Sequence, residues 1–129
     1  MIEPIFLTIA EVLEIHSKQL DAHGGIHGIR SQSLFESAVM TPQASFGGEY
    51  LHKDIYEMAA AYAFHIAENQ PFLDGNKRTA LVSALAFLDI NGYIILDPNG
   101  LLYSILIEIA NHTADKYDLA QLLRSLPTE

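Results

Sequence analysis

The residue types best suited to chemistry fall in one run: Gln70-Pro71-Phe72-Leu73-Asp74-Gly75-Asn76-Lys77-Arg78-Thr79. Pro71 disfavours helix at residue 70, and an apolar helical period resumes after Gly75, so the run predicts a loop that ends at a helix N-terminus. Such an end offers unpaired N–H groups and the positive pole of the helix dipole, a combination that binds phosphates. Gly75 permits close backbone approach, and Arg78 can grip a phosphate in bidentate fashion with Lys77 beside it. Asp74 is the carboxylate placed to hold a magnesium ion bridging phosphates. An Asp-Gly helix start with Lys-Arg in its first turn is also what an ordinary solvated cap looks like. Spacing alone leaves both readings open.

The charge balance makes the basic pair notable. The 129 residues carry 7 Lys and Arg against 16 Asp and Glu, a net charge of −9. That balance argues against non-specific binding to nucleic acid or an anionic membrane, since both need a basic surface. Six histidines, His16, His23, His27, His52, His65 and His112, show no paired ligand spacing with a carboxylate, so a metalloenzyme reading finds no support. His65 lies five residues before Gln70, and helical geometry turns it about 140° away. The absence of cysteine excludes a disulfide framework and suits a reducing, cytoplasmic setting. Met1-Ile2-Glu3-Pro4 lacks a basic n-region, and Thr79 to Leu88, the longest uncharged apolar stretch in mid-chain, is too short to span a bilayer.

Six helices are expected to position the loop. Thr8 to Ala22 has an apolar face of Ile9, Val12, Leu13 and Leu20 and stops at Gly24-Gly25. After the loop Ile26 to Arg30, Ser31 caps a second helix over Leu34, Phe35, Ala38 and Val39, ended before Pro42. Gln43 to His52 has no helical period and reads as a loop or short hairpin. Asp54, with Glu57 as a capping-box partner, opens a third helix, with Ile55, Met58, Ala59, Tyr62 and Ile66 on one face and an end near Asn69. The fourth runs from about Gly75 to Ile90 with Ala80, Leu81, Ala84, Leu85 and Leu88 inward, and stops at Asn91-Gly92. Tyr93 to Leu96 is a candidate short strand, Asp97 to Gly100 a turn, and Leu101 to Asn111 and Ala114 to Leu126 the last helices. With half the residues hydrophobic and no linker or repeat, the expectation is one all-α domain over residues 1–129, a compact six-helix bundle with a small flap.

The run around Gly75 resembles the Fic/Doc signature His-x-Phe-x-Asp-(Gly/Ala)-Asn-(Gly/Lys)-x-x-Arg, and more closely its Doc form with Asn-Lys-Arg-Thr-Ala. Phe72, Asp74, Gly75, Asn76, Lys77 and Arg78 fall in register. Gly24 to Arg30, Leu34 to Ala38, Pro42-Gln43, Phe46-Gly47-Gly48, Phe87-Leu88 and Asn91-Gly92-Tyr93 extend the likeness over roughly residues 8 to 93. The resemblance implies a Fic fold, with ATP and magnesium held by Asp74, Gly75, Asn76, Lys77 and Arg78, the last two also catalytic, and Phe72 as the motif's anchor. It implies transfer of the γ-phosphate rather than AMP, because Lys77 stands where AMP-transferring members have glycine. It also implies elongation factor Tu as target, and a Phd-like antitoxin that inhibits in trans. The internal inhibitory pattern Ser/Thr-x-x-x-Glu-Gly/Asn is not matched: Ser45 to Glu49 is followed by Tyr50, and Ser104 to Glu108 by Ile109. By the same resemblance the Gln43 to His52 segment occupies the place of a target-holding flap, with a plain solvated loop the alternative. Arg30 either contributes to the nucleotide site or anchors its own loop.

One departure stands out. Gln70 occupies the position of the signature's catalytic histidine. An amide cannot take a proton near neutral pH, and general-base catalysis is worth roughly 10²–10⁴-fold. The expected consequence is an impaired phosphotransferase with fold and nucleotide site intact. An inactivating substitution and a natural pseudoenzyme both account for it.

Overall fold

The computed structural model describes residues 3–129. Met1 and Ile2, part of the N-terminal stretch read above, lie outside the described residues. Six helices account for most of them: α1 (Ile9–His23), α2 (Gln32–Met40), α3 (Ile55–Asn69), α4 (Asn76–Ile90), α5 (Leu101–Ala110) and α6 (Lys116–Ser125). A 3-10 turn, Thr41–Gln43, follows α2, and the only ladder among the described residues is the hairpin β1 (Ser45–Phe46) and β2 (Glu49–Tyr50). The all-α expectation holds, and Gln43 to His52 is the hairpin rather than a plain loop.

Local chemistry sets the boundaries. Thr8 and Glu11 form a reciprocal capping box at α1, and Ser31 accepts from Leu34 N–H at α2. At α3 only half of the expected box forms. Asp54 accepts from Glu57 N–H at 2.8 Å, while the Glu57 carboxylate accepts from Lys53 N–H, one residue earlier than a capping box requires. Asp97 accepts from the N–H groups of Leu101 and Leu102 and so caps α5 from within the turn.

The core is one contiguous cluster, and α3 runs through its middle. Its expected single apolar face is too narrow: Ala60, Ala61, Ala63 and Ala67 are buried as well as Met58, Ala59, Tyr62 and Ile66. Neighbours cover it all round, as α4, α6, α2 and α5 all pack on it, α4 most extensively. Small side chains on both partners, including Ala80, Ser83 and Ala84 of α4, allow that close packing. The buried edge of α4 accordingly turns toward Thr79, Ser83 and Phe87, leaving Leu81 and Leu85 half-buried. Tyr93 to Leu96 does not form the expected strand. Its partner is the chain end, and contact is limited to a single bridge between Ile95 and Thr128, with Leu96 N–H donating to Pro127 O and Glu129 N–H to Ile94 O. No helix among the described residues is long and apolar enough to cross a membrane.

Candidate functional site

The loop between α3 and α4 is held from both sides. Phe72 is buried, stacked on His16 of α1 with ring centroids 3.7 Å apart and tilted against Phe35 of α2 at 5.2 Å. His16 Nε2 lies 2.9 Å from the carbonyl oxygen of Asp74, a geometry that requires Nε2–H as donor. The side chain of Asn76 closes a ring with Phe72, accepting from its N–H and donating to its carbonyl, both at 3.0 Å. The Asn76 amide is committed to Phe72, and what the residue offers outward is backbone N–H.

Asp74 is similarly engaged. Its Oδ1 accepts from Gly75 N–H at 2.9 Å and its Oδ2 from Ile26 N–H at 3.2 Å, tying the loop after α1 to the motif. Gly25 is required there: a Cβ would sit 2.9 Å from Asp74 Oδ2 and 2.8 Å from Leu20 Cδ2. The carboxylate remains solvent-exposed, with lone pairs left over.

Helix α4 starts on Gly75, in the left-handed region at φ 78°, with no side-chain cap and no acidic residue in its first turn. The first intrahelical acceptance is by Gly75 O from Thr79 N–H. The N–H groups of Asn76, Lys77 and Arg78 precede it and face outward. Lys77 and Arg78 are exposed, and Arg78 lies over the ring of Tyr103 of α5 at 5.6 Å. These groups line a cleft of about 580 Å³ together with Gln70, Asp74 and the end of α1, including His23 and Gly24. Gln70, Asp74, Gly75, Asn76, Lys77 and Arg78 thus share one cleft, and Phe72 lies beneath it in the core.

Gln70 caps α3 in the left-handed region, at φ 46° and ψ 57°. Arg30 donates from Nε to Gln70 O and from Nη2 to Asn69 O. Of the two readings of Arg30, the structure supports the anchoring one: the side chain grips backbone and does not line the cleft.

Sequence reasoning missed His16, His23 and Tyr103. Nothing in their spacing marks them; each reaches the site by a tertiary contact. The remaining titratable cluster lies elsewhere. Lys116 Nζ donates between His52 Nε2 at 3.1 Å and His65 Nε2 at 3.3 Å. Burial, then the Lys116 charge and His52, push His65 down to about 4, and burial followed by Lys116 also lowers His52. Among the described residues no group of three acidic, His or Cys side chains could hold a metal ion.

The Fic/DOC family matches residues 6–88, and the chain belongs to it. Within that family it lies on the Doc branch. It is 41% identical over 71 residues to toxin Doc of Mycolicibacterium smegmatis, covering 55% of each chain, and 34% identical over 87 residues to protein kinase doc of Escherichia phage P1, covering 67% of this chain and 68% of that protein. The matched region thus spans about half the length of the first relative and about two thirds of the second.

Proposed function

We propose that this chain is a Doc-type toxin of a toxin-antitoxin module, a cytoplasmic phosphotransferase of the Ser/Thr kinase type whose cleft holds ATP with magnesium. The phosphoryl acceptor is a hydroxyl of elongation factor Tu, and the consequence is arrest of translation. The reading is supported by the names of the two relatives, one a toxin and one a protein kinase. The observation that carries it is the start of α4, where three free N–H groups, Lys77 and Arg78 converge on a cleft of a size suited to a nucleotide. Asp74 fits magnesium, which takes one or two protein carboxylates together with substrate phosphates; when bound, the ion neutralises phosphate charge. The chain's own part is to hold and orient. The N–H groups and Arg78 bind phosphate oxygens, Lys77 supplies a point charge, and the Phe72 anchor fixes the loop's position.

Gln70 withholds the proton acceptor that the target hydroxyl needs. Because phosphoryl transfer depends largely on positioning and charge, nucleotide binding survives while turnover falls. A Phd-like antitoxin completes the module by inhibiting in trans, in keeping with the unmatched internal inhibitory pattern. A second reading, a non-catalytic nucleotide or partner-binding module, is favoured by Gln70 alone.

The test is Gln70→His on an inducible plasmid, with Gln70→Ala as control. The histidine variant arrests growth and labels elongation factor Tu from γ-labelled but not α-labelled ATP, with a gain of roughly 10²–10⁴-fold in the chemical step. Equal growth of the two variants at equal expression replaces the toxin reading with the binding module, and label from the α position replaces phosphate transfer with AMP transfer.

A further inference from the structure

The conformation of residue 70 is opposed by its neighbour. A residue before proline is pushed toward extended backbone, and a left-handed φ is unfavourable for any side chain bearing a Cβ. Gln70 precedes Pro71 and still sits at φ 46° and ψ 57°. Among the described residues, only His112 is another non-glycine with positive φ. Strain of this kind persists where the surroundings over-determine it, so the relevant question is what holds residue 70.

Three consecutive carbonyl oxygens converge on one short segment. Asn69 O accepts from Arg30 Nη2 at 2.6 Å, and Gln70 O from Arg30 Nε at 2.7 Å. Pro71 O accepts twice, from the backbone N–H of Arg30 at 2.6 Å and of Ser31 at 3.1 Å. The antiparallel bridge between Ile29 and Phe72, and the Leu73 N–H to Gly28 O bond, continue the pairing past the proline. The two side-chain bonds need a planar fork with two donors at fixed spacing, which Arg has and Lys lacks. They also put a cation at the negative end of α3, where the last carbonyls have no helical partner.

We propose that Arg30 is a positioning residue. By binding the carbonyls of residues 69 and 70 it holds residue 70 in the left-handed conformation and so directs that side chain into the cleft, where the acceptor hydroxyl and the phosphate must meet. Arg30 touches neither nucleotide nor target, and its effect passes through the backbone of residue 70. Its catalytic consequence rests on the phosphotransferase reading; its structural core does not.

Two measurements separate those parts. On the chain as it stands, φ at residue 70 is read from three-bond couplings and residual dipolar couplings. The chain shows positive φ, Arg30→Ala shifts residue 70 toward extended backbone, and Arg30→Lys, which keeps the charge and one donor and preserves folding should the alanine variant not fold, falls between. Unchanged positive φ in both variants overturns the proposal. In the Gln70→His background, Arg30→Ala lowers turnover about 10- to 100-fold while KM for ATP stays within about 3-fold, because the phosphate-binding groups on α4 do not depend on Arg30. Parallel loss of turnover and nucleotide affinity marks Arg30 as part of general loop stability and also overturns it. Absence of activity in Gln70→His counts against the phosphotransferase reading, and the couplings then decide the role of Arg30.

Discussion

Helices α4 and α6 begin with the same electrostatic problem and resolve it differently. Each carries basic residues in its first turn, Lys77 and Arg78 in α4 and Lys116 in α6, at the end where the dipole is already positive. In α6 the chain supplies its own remedy. Asp115 accepts from the N–H groups of Tyr117 and Asp118, Asp118 returns a bond to Asp115 N–H, and the Lys116 ammonium turns inward between two imidazoles. In α4 the cap is glycine, the first turn holds no acid, and Lys77 and Arg78 stand in an open cleft. Asp74, the carboxylate nearest that start, is shared with the loop at Ile26. A helix start that concentrates positive charge, with its one nearby carboxylate, Asp74, bonded to the N–H groups of Gly75 and Ile26 and to none of the first turn, is suited to an external anion. The contrast between the two starts is the physical ground for reading one as a site and the other as structure.

The largest stability effect that sharpens this contrast is expected at Gly75. Gly75→Ala places a Cβ on a residue at φ 78° and within 3.2 Å of Leu20 Cδ2. The strained backbone alone costs about 1–2 kcal/mol. Urea unfolding reads the loss, and a variant as stable as the chain itself would mean that the left-handed start is not needed. Next comes the other start: Asp115→Ala removes a cap worth about 1 kcal/mol and leaves ATP affinity unchanged. A fall in affinity there would break the assignment of the two ends. The smallest effect concerns pH. His65 is held down to about 4 against an ordinary 6.5, so between those values the unfolded chain binds more protons than the folded one. Stability therefore declines as pH drops from 6.5 towards 4, and His52, also lowered, adds with the same sign. Partial exposure of His65 screens the effect to a shift in Tm of a few degrees, on the order of 1 kcal/mol or less. His65→Gln should flatten the slope in that window, and an unchanged slope would place the acid sensitivity elsewhere.

What could be read from the sequence were the local signals. Ser31 and Asp54 mark helix starts because capping is a contact over three residues, and Asn91-Gly92 marks an end for the same reason. The motif loop was equally legible, since its residues are consecutive. Long-range contacts were not. His16 reaches Asp74 across 58 residues, and neither its type nor its spacing announces that it stacks beneath Phe72. The burial of α3 on all sides follows from its central place in the bundle, which a one-face apolar stripe understates. Tyr93 to Leu96 has strand-like composition but meets too short a partner at residues 127–129 to form a ladder. At residue 70, Pro71 marks the end of α3 near Asn69. The end falls there, while the left-handed backbone of Gln70 and its bond to Arg30, 40 residues away in sequence, carry no local signal.

The central claim, that the open start of α4 is a nucleotide phosphate site, is tested most directly by titrating the chain with ATP and magnesium in a calorimeter, with Arg78→Ala as the matched control. The account predicts saturable binding to the chain and an affinity about 10-fold or more weaker in the variant, the worth of a charge-assisted phosphate contact. Equal affinities, or no binding by the chain at millimolar nucleotide, would contradict it.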